Sequence, residues 1–308
     1  MAKRDHQQTV ESTGHMRVSA NFGRRFALTS DDTPEHAVQA RTSGKRLRPV
    51  TGDRVLAHTL EGESDWLITR ILDRDNELVR PDARGRPEVL AANIERIAVV
   101  ACPSPAADFF IVDRYLAAAQ LMGVPAIVVW NKSELGDAPE DALAYRHIGY
   151  TLIETSAKNR SGIDTLHAAL ADKRSIFVGQ SGVGKSSLIN ALCGDERQRT
   201  ADISHGSDEG KHTTVAAQLI VTTSGIALID SPGVRDYAPS IQDVAHVGDG
   251  FIEIARAAQL CKFANCRHRA EPGCAVKTGV EDGEIQQRRY TSFLRLAQLT
   301  RQLNEGRY

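Results

Sequence analysis

Short apolar runs separated by turn residues fill the first quarter of the chain. Between Met16 and Leu78 they read MRVSANFGRRFAL, EHAVQART, VTGDRVLAHTL and WLITRIL. Such runs at short spacing are typical of small all-β barrels and sandwiches, and about five strands in about sixty residues fit the OB-fold. We predict an OB-fold β-barrel over residues 16–90, preceded by a polar, mobile segment of residues 1–15.

The pattern changes after the charged stretch RPDARGRPE at 80–88, which Pro and Gly interrupt as in a linker. Strand-like runs (IERIAVVAC, VPAIVVWNK, TLIETSA, RSIFVG) then alternate with helix-like runs (FIVDRYLAAAQLMG, GIDTLHAALA, KSSLINALCG). Two further strand-like runs, QLIVTTSG and IALIDSPG, follow. This alternation predicts an α/β domain with a mainly parallel sheet over residues 91–238.

Residues 239–308 have a helical pattern around a cysteine/histidine cluster. A C-terminal helix is predicted by one apolar stripe formed by Tyr290, Phe293, Leu294 and Ala297. The chain as a whole is therefore expected to be a multidomain α/β protein with a β-barrel at its start and a helical domain at its end.

Composition narrows the class of protein only slightly. A length of 308 residues suggests two or three domains. Lys and Arg total 38 against 39 Asp and Glu, which argues against a uniformly basic surface but leaves local basic patches open. No run of about 18 apolar residues occurs, and the start MAKRDHQQTV lacks the apolar core of a signal peptide, so we expect a cytoplasmic protein.

A phosphate-binding loop is the strongest chemical signal. GQSGVGKS fits G-x-x-x-x-G-K-[ST] between a predicted strand and a predicted helix. Its backbone N–H groups would surround phosphate oxygens, Lys185 would reach the β- and γ-phosphates, and the Ser186 hydroxyl would bind Mg²⁺. The predicted nucleotide-binding residues here are Gly179, Gln180, Ser181, Gly182, Val183, Gly184, Lys185, Ser186 and Ser187.

A second phosphate element is DSPG, at the end of the strand-like run IALI. The carboxylate of Asp230 would hold Mg²⁺ through water, and the backbone N–H of Gly233 would sense the γ-phosphate. This tetrapeptide is usually a simple turn, but its place on its own strand after a phosphate loop favours the nucleotide interpretation.

Two tetrapeptides at strand ends indicate a guanine nucleotide. In NKSE, formed by Asn131, Lys132, Ser133 and Glu134, the acid can accept from both N1–H and N2–H of guanine, a donor pair that adenine lacks. In TSAK, a backbone N–H among Ser156, Ala157 and Lys158 can contact guanine O6. The arrangement predicts GTP rather than ATP.

The cysteines are distributed as in a metal protein. The spacing C-x₄-C-x-H-x₅-C offers three thiolates and one imidazole, which suits a closed structural Zn²⁺ site; the ligands would be Cys261, Cys266, His268 and Cys274. Cys102 and Cys193 lie on apolar strand and helix faces and are predicted to be core residues.

The order of these elements resembles the circularly permuted GTPases, because NKSE and TSAK precede the phosphate loop. With a β-rich domain in front and a cysteine/histidine cluster behind, residues 16–308 resemble the RsgA (YjeQ/YloQ) family of GTPases that depend on the small ribosomal subunit. The resemblance implies GTP or GDP, Mg²⁺ and one Zn²⁺, and late maturation of the small (30S) subunit with subunit-stimulated hydrolysis.

Further residue roles come from the resemblance alone. GKHTT (210–214) matches the family's switch I, so Thr213 or Thr214 would complete the Mg²⁺ shell. Val234 stands where many GTPases carry a water-positioning Gln, which makes His212 the candidate for that role. Glu134 replaces the family's usual Asp.

Basic residues give the expected contacts with rRNA. Arg24, Arg25 and the segment Arg41–Arg48 lie in the barrel region, where family members bind RNA. The C-terminal helix would either contact rRNA or cover the GTPase domain with its arginines, Arg288, Arg289, Arg295, Arg301 and Arg307. We expect a monomer, with other assembly factors as possible further partners. Two alternatives stay open: a P-loop ATPase acting on a metabolite, and an RNA-binding module that does not hydrolyse nucleotide.

Overall fold

The computed structural model describes residues 10–34, 36–44, 46–82, 86–194, 217–230 and 244–305. Its first five strands form a closed barrel: β1 (Val10–Asn21), β2 (Phe26–Thr29), β3 (Ala37–Thr42), β4 (Arg54–Leu60) and β5 (Trp66–Ile71). β3 pairs with β5 in parallel, and β1 closes the barrel by pairing with β4. The apolar side chains of alternate positions fill its interior, among them Val18, Leu28 and Ile68. The predicted OB-type barrel is confirmed.

The barrel begins earlier than the sequence suggested. β1 starts at Val10, and its residues 12–17 pair with β4, for example Ser12 with Thr59 and His15 with Leu56. The expectation of a mobile segment was therefore wrong for residues 10–15, while residues 1–9 lie outside the described part of the chain. The side chains in this half of β1 are mostly polar, so the apolar pattern gives no strand signal there. The segment is ordered by its backbone pairing with β4.

The predicted linker at 80–88 is instead part of a β-hairpin. β6 (Glu77–Pro81) and β7 (Pro87–Ala92) pair antiparallel, with Pro81 opposite Pro87. Arg80 and Glu88 form a cross-strand ion pair of 2.9 Å. Leu78 and Ala91 at the base of the hairpin are fully buried in the core of the α/β domain. The prediction failed because Pro and Gly mark hairpin ends as well as linkers.

An α/β domain follows, with a strand order of β10-β9-β8-β11-β13-β12. All neighbouring pairs are parallel except β12 with β13, which confirms the mainly parallel sheet. Its elements are β8 (Arg96–Ala101), α1 (Phe109–Leu121), β9 (Ala126–Trp130), α2 (Glu140–Ile148), β10 (Thr151–Glu154), α3 (Ile163–Leu170), β11 (Arg174–Val178), α4 (Lys185–Cys193), β12 (Gln218–Val221) and β13 (Ala227–Asp230).

Each face of this sheet has its own core, because successive strand residues point to opposite sides. Ile97 and Val99 of β8 pack with α1 and α2, whereas Ala98 and Val100 pack with α3 and α4. Cys102 and Cys193 belong to the core on the side of α3 and α4 and are buried, as predicted.

The barrel and the α/β sheet are joined through hydrogen bonds. Ala20 of β1 pairs with Gln218 of β12, so the eleven strands form one continuous sheet. The Thr51 hydroxyl donates to the carbonyl of Ala217 at 2.5 Å. Gly52 allows the barrel to approach the β6–β7 hairpin closely, since a Cβ there would lie 2.1 Å from the carbonyl oxygen of Ala92, at the end of β7.

The C-terminal region packs against α1. A 3₁₀ segment (Val244–Gly250) precedes α5 (Ile252–Ala258), α6 (Ala275–Glu281) and α7 (Gln287–Glu305). Val247, Phe251 and Phe293 form its core together with Ala117 of α1. In the described part of the chain, no helix has the length and apolar character needed to cross a membrane.

Buried charges attach α7 to the α/β domain. Asp113 of α1, fully buried, accepts from Arg288 at 2.7 Å and from Arg289 at 2.8 Å. The Tyr145 hydroxyl donates to the same carboxylate at 2.5 Å, and Glu253 binds Arg289 at 2.6 Å. The sequence left two roles open for the arginines of this helix, contact with RNA or covering the α/β domain. Arg288 and Arg289 have the second role.

Candidate nucleotide site and zinc centre

The predicted nucleotide segments meet at one edge of the sheet. The phosphate loop follows β11, NKSE follows β9, TSAK follows β10, and Asp230 ends β13. These four strands are parallel in the sheet, so their carboxyl ends lie at the same edge.

Glycines give the phosphate loop its shape. Gly179, Gly182 and Gly184 have φ angles of +136°, +81° and +93°, in the left-handed region that favours glycine. A Cβ at Gly179 would lie 2.2 Å from the carbonyl oxygen of Val100, and one at Gly184 would lie 2.4 Å from Nδ2 of Asn131. The loop therefore packs closely against the end of β8 at Gly179 and against Asn131, after β9, at Gly184, and neither position has room for a side chain.

Lys185 and Ser186 stand at the start of α4, where the loop becomes a helix. The ammonium of Lys185 donates to the carbonyls of Gly179 and Gln180, at 2.8 Å each. Gly184 caps the helix without any side-chain hydrogen bond. The N–H groups of the first turn and the positive end of the helix dipole thus face the loop, which is an arrangement suited to an anion.

Asn131 ties the guanine segments to the phosphate loop. Its Nδ2 donates to the carbonyl of Val183 at 2.9 Å. Its Oδ1 accepts from the backbone N–H of Ala157 at 3.4 Å and from the Thr155 hydroxyl at 3.3 Å. Asn131 is only 1% exposed, so these buried hydrogen bonds hold NKSE, TSAK and the phosphate loop together.

Lys132 connects the phosphate loop to a further loop that the sequence did not single out. Its ammonium donates to the carbonyl of Gly182 at 2.7 Å and to the carbonyl of Ser104, after β8, at 2.6 Å. The backbone N–H of Asp108 in the same loop donates to Oε1 of Gln180 at 3.2 Å. The sequence signal that could have identified this loop is the pair Pro103 and Pro105, which follows the end of β8 at the same edge of the sheet.

Glu134 lies exposed in a 3₁₀ turn, Ser133–Leu135. A hydrogen bond from the Ser156 hydroxyl is the largest of several effects that hold the pKa of this carboxyl below its usual range; Lys158 and Lys132 add to it. Glu134 is therefore ionised at neutral pH, as an acceptor for two guanine N–H groups must be.

The two described candidates for Mg²⁺ are a hydroxyl and a carboxylate, the oxygen ligands that this ion prefers. Ser186 is the second residue of α4, and Asp230 ends the strand that pairs with β11. The donor set therefore fits the ion. The predicted residues His212, Thr213, Thr214 and Gly233, together with Val234, lie outside the described residues, and their roles stay predictions.

The four predicted zinc ligands come together beside α7. One ligand atom from each of Cys261, Cys266, His268 and Cys274 lies within 4.8 Å of all the others. Nδ1 of His268 is 3.5 Å from Sγ of Cys261 and 3.6 Å from Sγ of Cys274. A tetrahedral Zn²⁺ about 2.3 Å from sulfur and about 2.1 Å from nitrogen separates such atoms by about 3.6 Å. The arrangement fits a structural zinc ion.

The predicted RNA-contact arginines of the barrel have different surroundings. Arg24 and Arg48 line a groove of about 1330 Å³ between the barrel and the β6–β7 hairpin, together with Arg86. Arg41 also lines it but forms an ion pair of 2.6 Å with Glu63. Lys45 lies outside the described residues.

The fold and the order of the site segments define a class. A parallel sheet carries a guanine segment, a second guanine segment and then a phosphate loop, in that chain order and at one edge. That is the architecture of a circularly permuted GTPase.

Comparison with known proteins gives the family. The family model for RsgA GTPase matches residues 71–239. The small ribosomal subunit biogenesis GTPase RsgA of Alcanivorax borkumensis is 37% identical over 96% of this chain and 86% of its own. The protein of the same name from Chromohalobacter salexigens is 40% identical over 90% and 83%.

Two solved structures have the same fold over nearly their whole length. YjeQ from Thermotoga maritima superposes with a TM-score of 0.73 at 26% identity, covering 94% of this chain and 99% of its own. YloQ, described as a circularly permuted GTPase, gives a TM-score of 0.72 at 25% identity and covers 98% of each chain. The chain belongs to the RsgA GTPase family.

Proposed function

We propose that this chain hydrolyses GTP and acts in the biogenesis of the small ribosomal subunit. The observation that carries the proposal is that Asn131 forms hydrogen bonds with both the phosphate loop and the second guanine segment. The chain that contains this site belongs to the RsgA GTPase family. A guanine nucleotide needs both parts of such a site at a fixed separation.

In this proposal each segment has one task in nucleotide binding. Residues 179–187 enclose the phosphates, and Lys185 exchanges its two backbone carbonyls for the β- and γ-phosphate oxygens. Glu134 accepts from guanine, while the residues from Ser156 to Lys158 supply an N–H for its O6. Asn131, Lys132 and Ser133 hold these segments in position.

Hydrolysis requires a metal ion and an ordered water. Bound Mg²⁺ would neutralise charge on the β- and γ-phosphates, held by Ser186, Thr213 or Thr214, and Asp230 through water. Lys185 would offset the developing charge, His212 would position the attacking water, and the N–H of Gly233 would contact the γ-phosphate. A partner that organises these residues would accelerate the reaction.

The remaining domains would provide the contacts with the subunit. Arg24, Arg25 and Arg48 of the barrel would bind rRNA phosphates, and Zn²⁺ would stabilise the C-terminal region. GTP would favour binding to the subunit and GDP would favour release, by differential affinity of the two states. Because the proposed partner is ribosomal, we also propose a cytoplasmic location and a monomer that works beside other assembly factors.

Co-sedimentation with purified ribosomal subunits tests the partner and the nucleotide dependence together. We expect the chain to pellet with small subunits in a non-hydrolysable GTP analogue and to remain in the supernatant with GDP. Large subunits are the matched control. Equal pelleting with both subunits, or no dependence on nucleotide, would contradict the proposal.

A further inference from the structure

A second cavity lies beside the zinc cluster, far along the chain from the nucleotide segments. It measures about 400 Å³ and is enclosed by the 3₁₀ segment Val244–Gly250, the loop 264–269 and helix α7. Phe293, Ala297 and Val244 give it an apolar floor. This volume is within the usual range for small-ligand sites.

Three arginines stand around the cavity: Arg267, Arg269 and Arg301. Within the part of the chain that the structure describes, none of the three guanidinium groups forms an ion pair, and none of the residues lining the cavity is acidic. Three thiolates around one Zn²⁺ leave a charge of about −1, which the arginines exceed. The cavity therefore attracts anions.

Two of these arginines lie in the loop 264–269, next to the zinc ligand His268. Arg267 and Arg269 are exposed on either side of His268, which is buried in the cluster. The carboxylate of Glu271 accepts the backbone N–H groups of Arg267 at 3.0 Å and Arg269 at 2.8 Å. Backbone N–H groups lower the pKa of Glu271 to about 2, so it stays ionised as the acceptor for these N–H groups. The guanidinium groups are left to bind a ligand.

An apolar cavity surrounded by arginines suits a ligand with both an anionic and a flat apolar part. Arginine is the preferred partner for phosphate because its planar fork forms paired hydrogen bonds. Asn265, also in the lining, has both a donor and an acceptor for a base edge. Single-stranded RNA offers phosphates next to bases that can leave the stack, and proteins recognise it in this way.

We propose that this cavity binds one unstacked nucleotide of a single-stranded RNA segment. The base occupies the cavity above Phe293, and the flanking phosphates bind Arg267, Arg269 and Arg301. This inference rests on the proposed function, in which the subunit's RNA is the source of the strand.

The test is fluorescence anisotropy of a labelled short oligouridine with the full-length, zinc-loaded protein, with a non-hydrolysable GTP analogue saturating the nucleotide site. R267Q, R269Q and R301Q should each weaken binding about tenfold, and each should reduce the steepness of the log–log salt dependence by about 0.7. R256Q is the matched control, because Arg256 is exposed on α5 outside the cavity, and it should leave binding unchanged.

A cavity-filling variant tests the base separately from the phosphates. Ala264 is exposed in the lining, so A264F would fill the cavity without changing charge. We expect a loss of about tenfold with the salt dependence unchanged. Zinc content and unfolding temperature equal to those of the parent would show that each variant is folded. Competition by UMP as effective as that by the strand would overturn RNA as the ligand.

Arginine variants that bind like R256Q would overturn the proposal, and an unaffected A264F would overturn the insertion of a base. Assaying the same proteins with small subunits separates this inference from the proposed function. Subunit-stimulated GTP hydrolysis without cavity-dependent RNA binding refutes only the cavity. Cavity-dependent binding without any response to subunits refutes only the proposed function.

Discussion

Asn131 and Val183 are 52 residues apart along the chain and are joined by one hydrogen bond at the centre of the site. The sequence predicted both segments, because each tetrapeptide follows a recognisable strand. It did not predict that Asn131 would be almost fully buried, or that Lys132 would bind the carbonyl of Ser104. Those contacts depend on how neighbouring strand ends approach one another, which residue types and spacing do not encode.

Replacing Glu134 by Gln tests guanine recognition. Gln replaces one carboxylate oxygen with an NH₂ group, which would face one of the two guanine donors, N1–H and N2–H, instead of accepting from it. We expect GDP affinity to fall about tenfold or more and the preference over ADP to shrink, measured by displacement of a fluorescent nucleotide. D137N, at an exposed acid three residues further on, should behave like the parent; an equal loss in both variants would remove the assigned role of Glu134.

At the scale of elements, the apolar pattern predicted the parallel sheet and its helices but misjudged two segments of the barrel side. It predicts a linker where the hairpin β6–β7 lies and a mobile segment where β1 begins. Both contain polar residues, Pro or Gly. The start of β1 is ordered by hydrogen bonds with the distant strand β4, and β6 and β7 are ordered by hydrogen bonds with each other. Local composition reports burial and turn chemistry, and it does not report which strand will be the partner.

The strand-to-helix turn before α4 leads to a prediction about Gly184. A methyl group there would collide with Nδ2 of Asn131, 2.4 Å away, at a φ of +93°. G184A should therefore displace the Asn131 side chain and weaken GDP binding at least about tenfold, by titration calorimetry.

Gly194, at the other end of α4, provides the matched control for that variant. It has a φ of +55° and nothing within 4 Å of an added Cβ, so G194A carries backbone strain without the collision. Nucleotide affinity that falls equally in G194A and G184A would show that backbone strain, and not the contact with Asn131, is responsible.

Zinc is predicted to organise the C-terminal elements. We expect one zinc ion per chain by elemental analysis, and we expect C274S or a strong chelator to lower the unfolding temperature of this region, since metal binding contributes folding free energy. C193A removes a thiol outside the cluster and should keep the full zinc content. A parent protein that contains no zinc, or a C274S variant that retains all of it, would contradict the assignment.

At the scale of the whole molecule, three parts predicted separately are joined through specific contacts. β1 and β12 make the barrel and the α/β sheet continuous. The C-terminal helix binds α1 through Asp113, with Arg289 fully buried. The sequence left open whether these arginines face RNA or the protein, because an arginine-rich helix looks the same in both cases. Arg288 and Arg289 pair with the buried Asp113, so these two arginines face the protein.

Arg289→Met should destabilise the junction between α7 and the α/β domain. The substitution leaves the buried Asp113 with one guanidinium fewer and removes the partner of Glu253. Loss of one member of a buried pair costs about 3 kcal/mol, so the unfolding temperature should drop by several degrees in calorimetry. R256M, on the exposed side of α5, should leave it within about one degree; an R289M protein as stable as R256M would show that the network contributes nothing to the junction.

Stimulation of GTP hydrolysis by ribosomal subunits tests the central claim most directly. Phosphate release would be measured for the protein alone, with small subunits and with large subunits, using ATP as the nucleotide control. We expect slow turnover alone and an increase of about a hundredfold or more with small subunits only, on the scale of other partner-activated GTPases. Equal rates with and without small subunits, or a preference for ATP, would contradict the account.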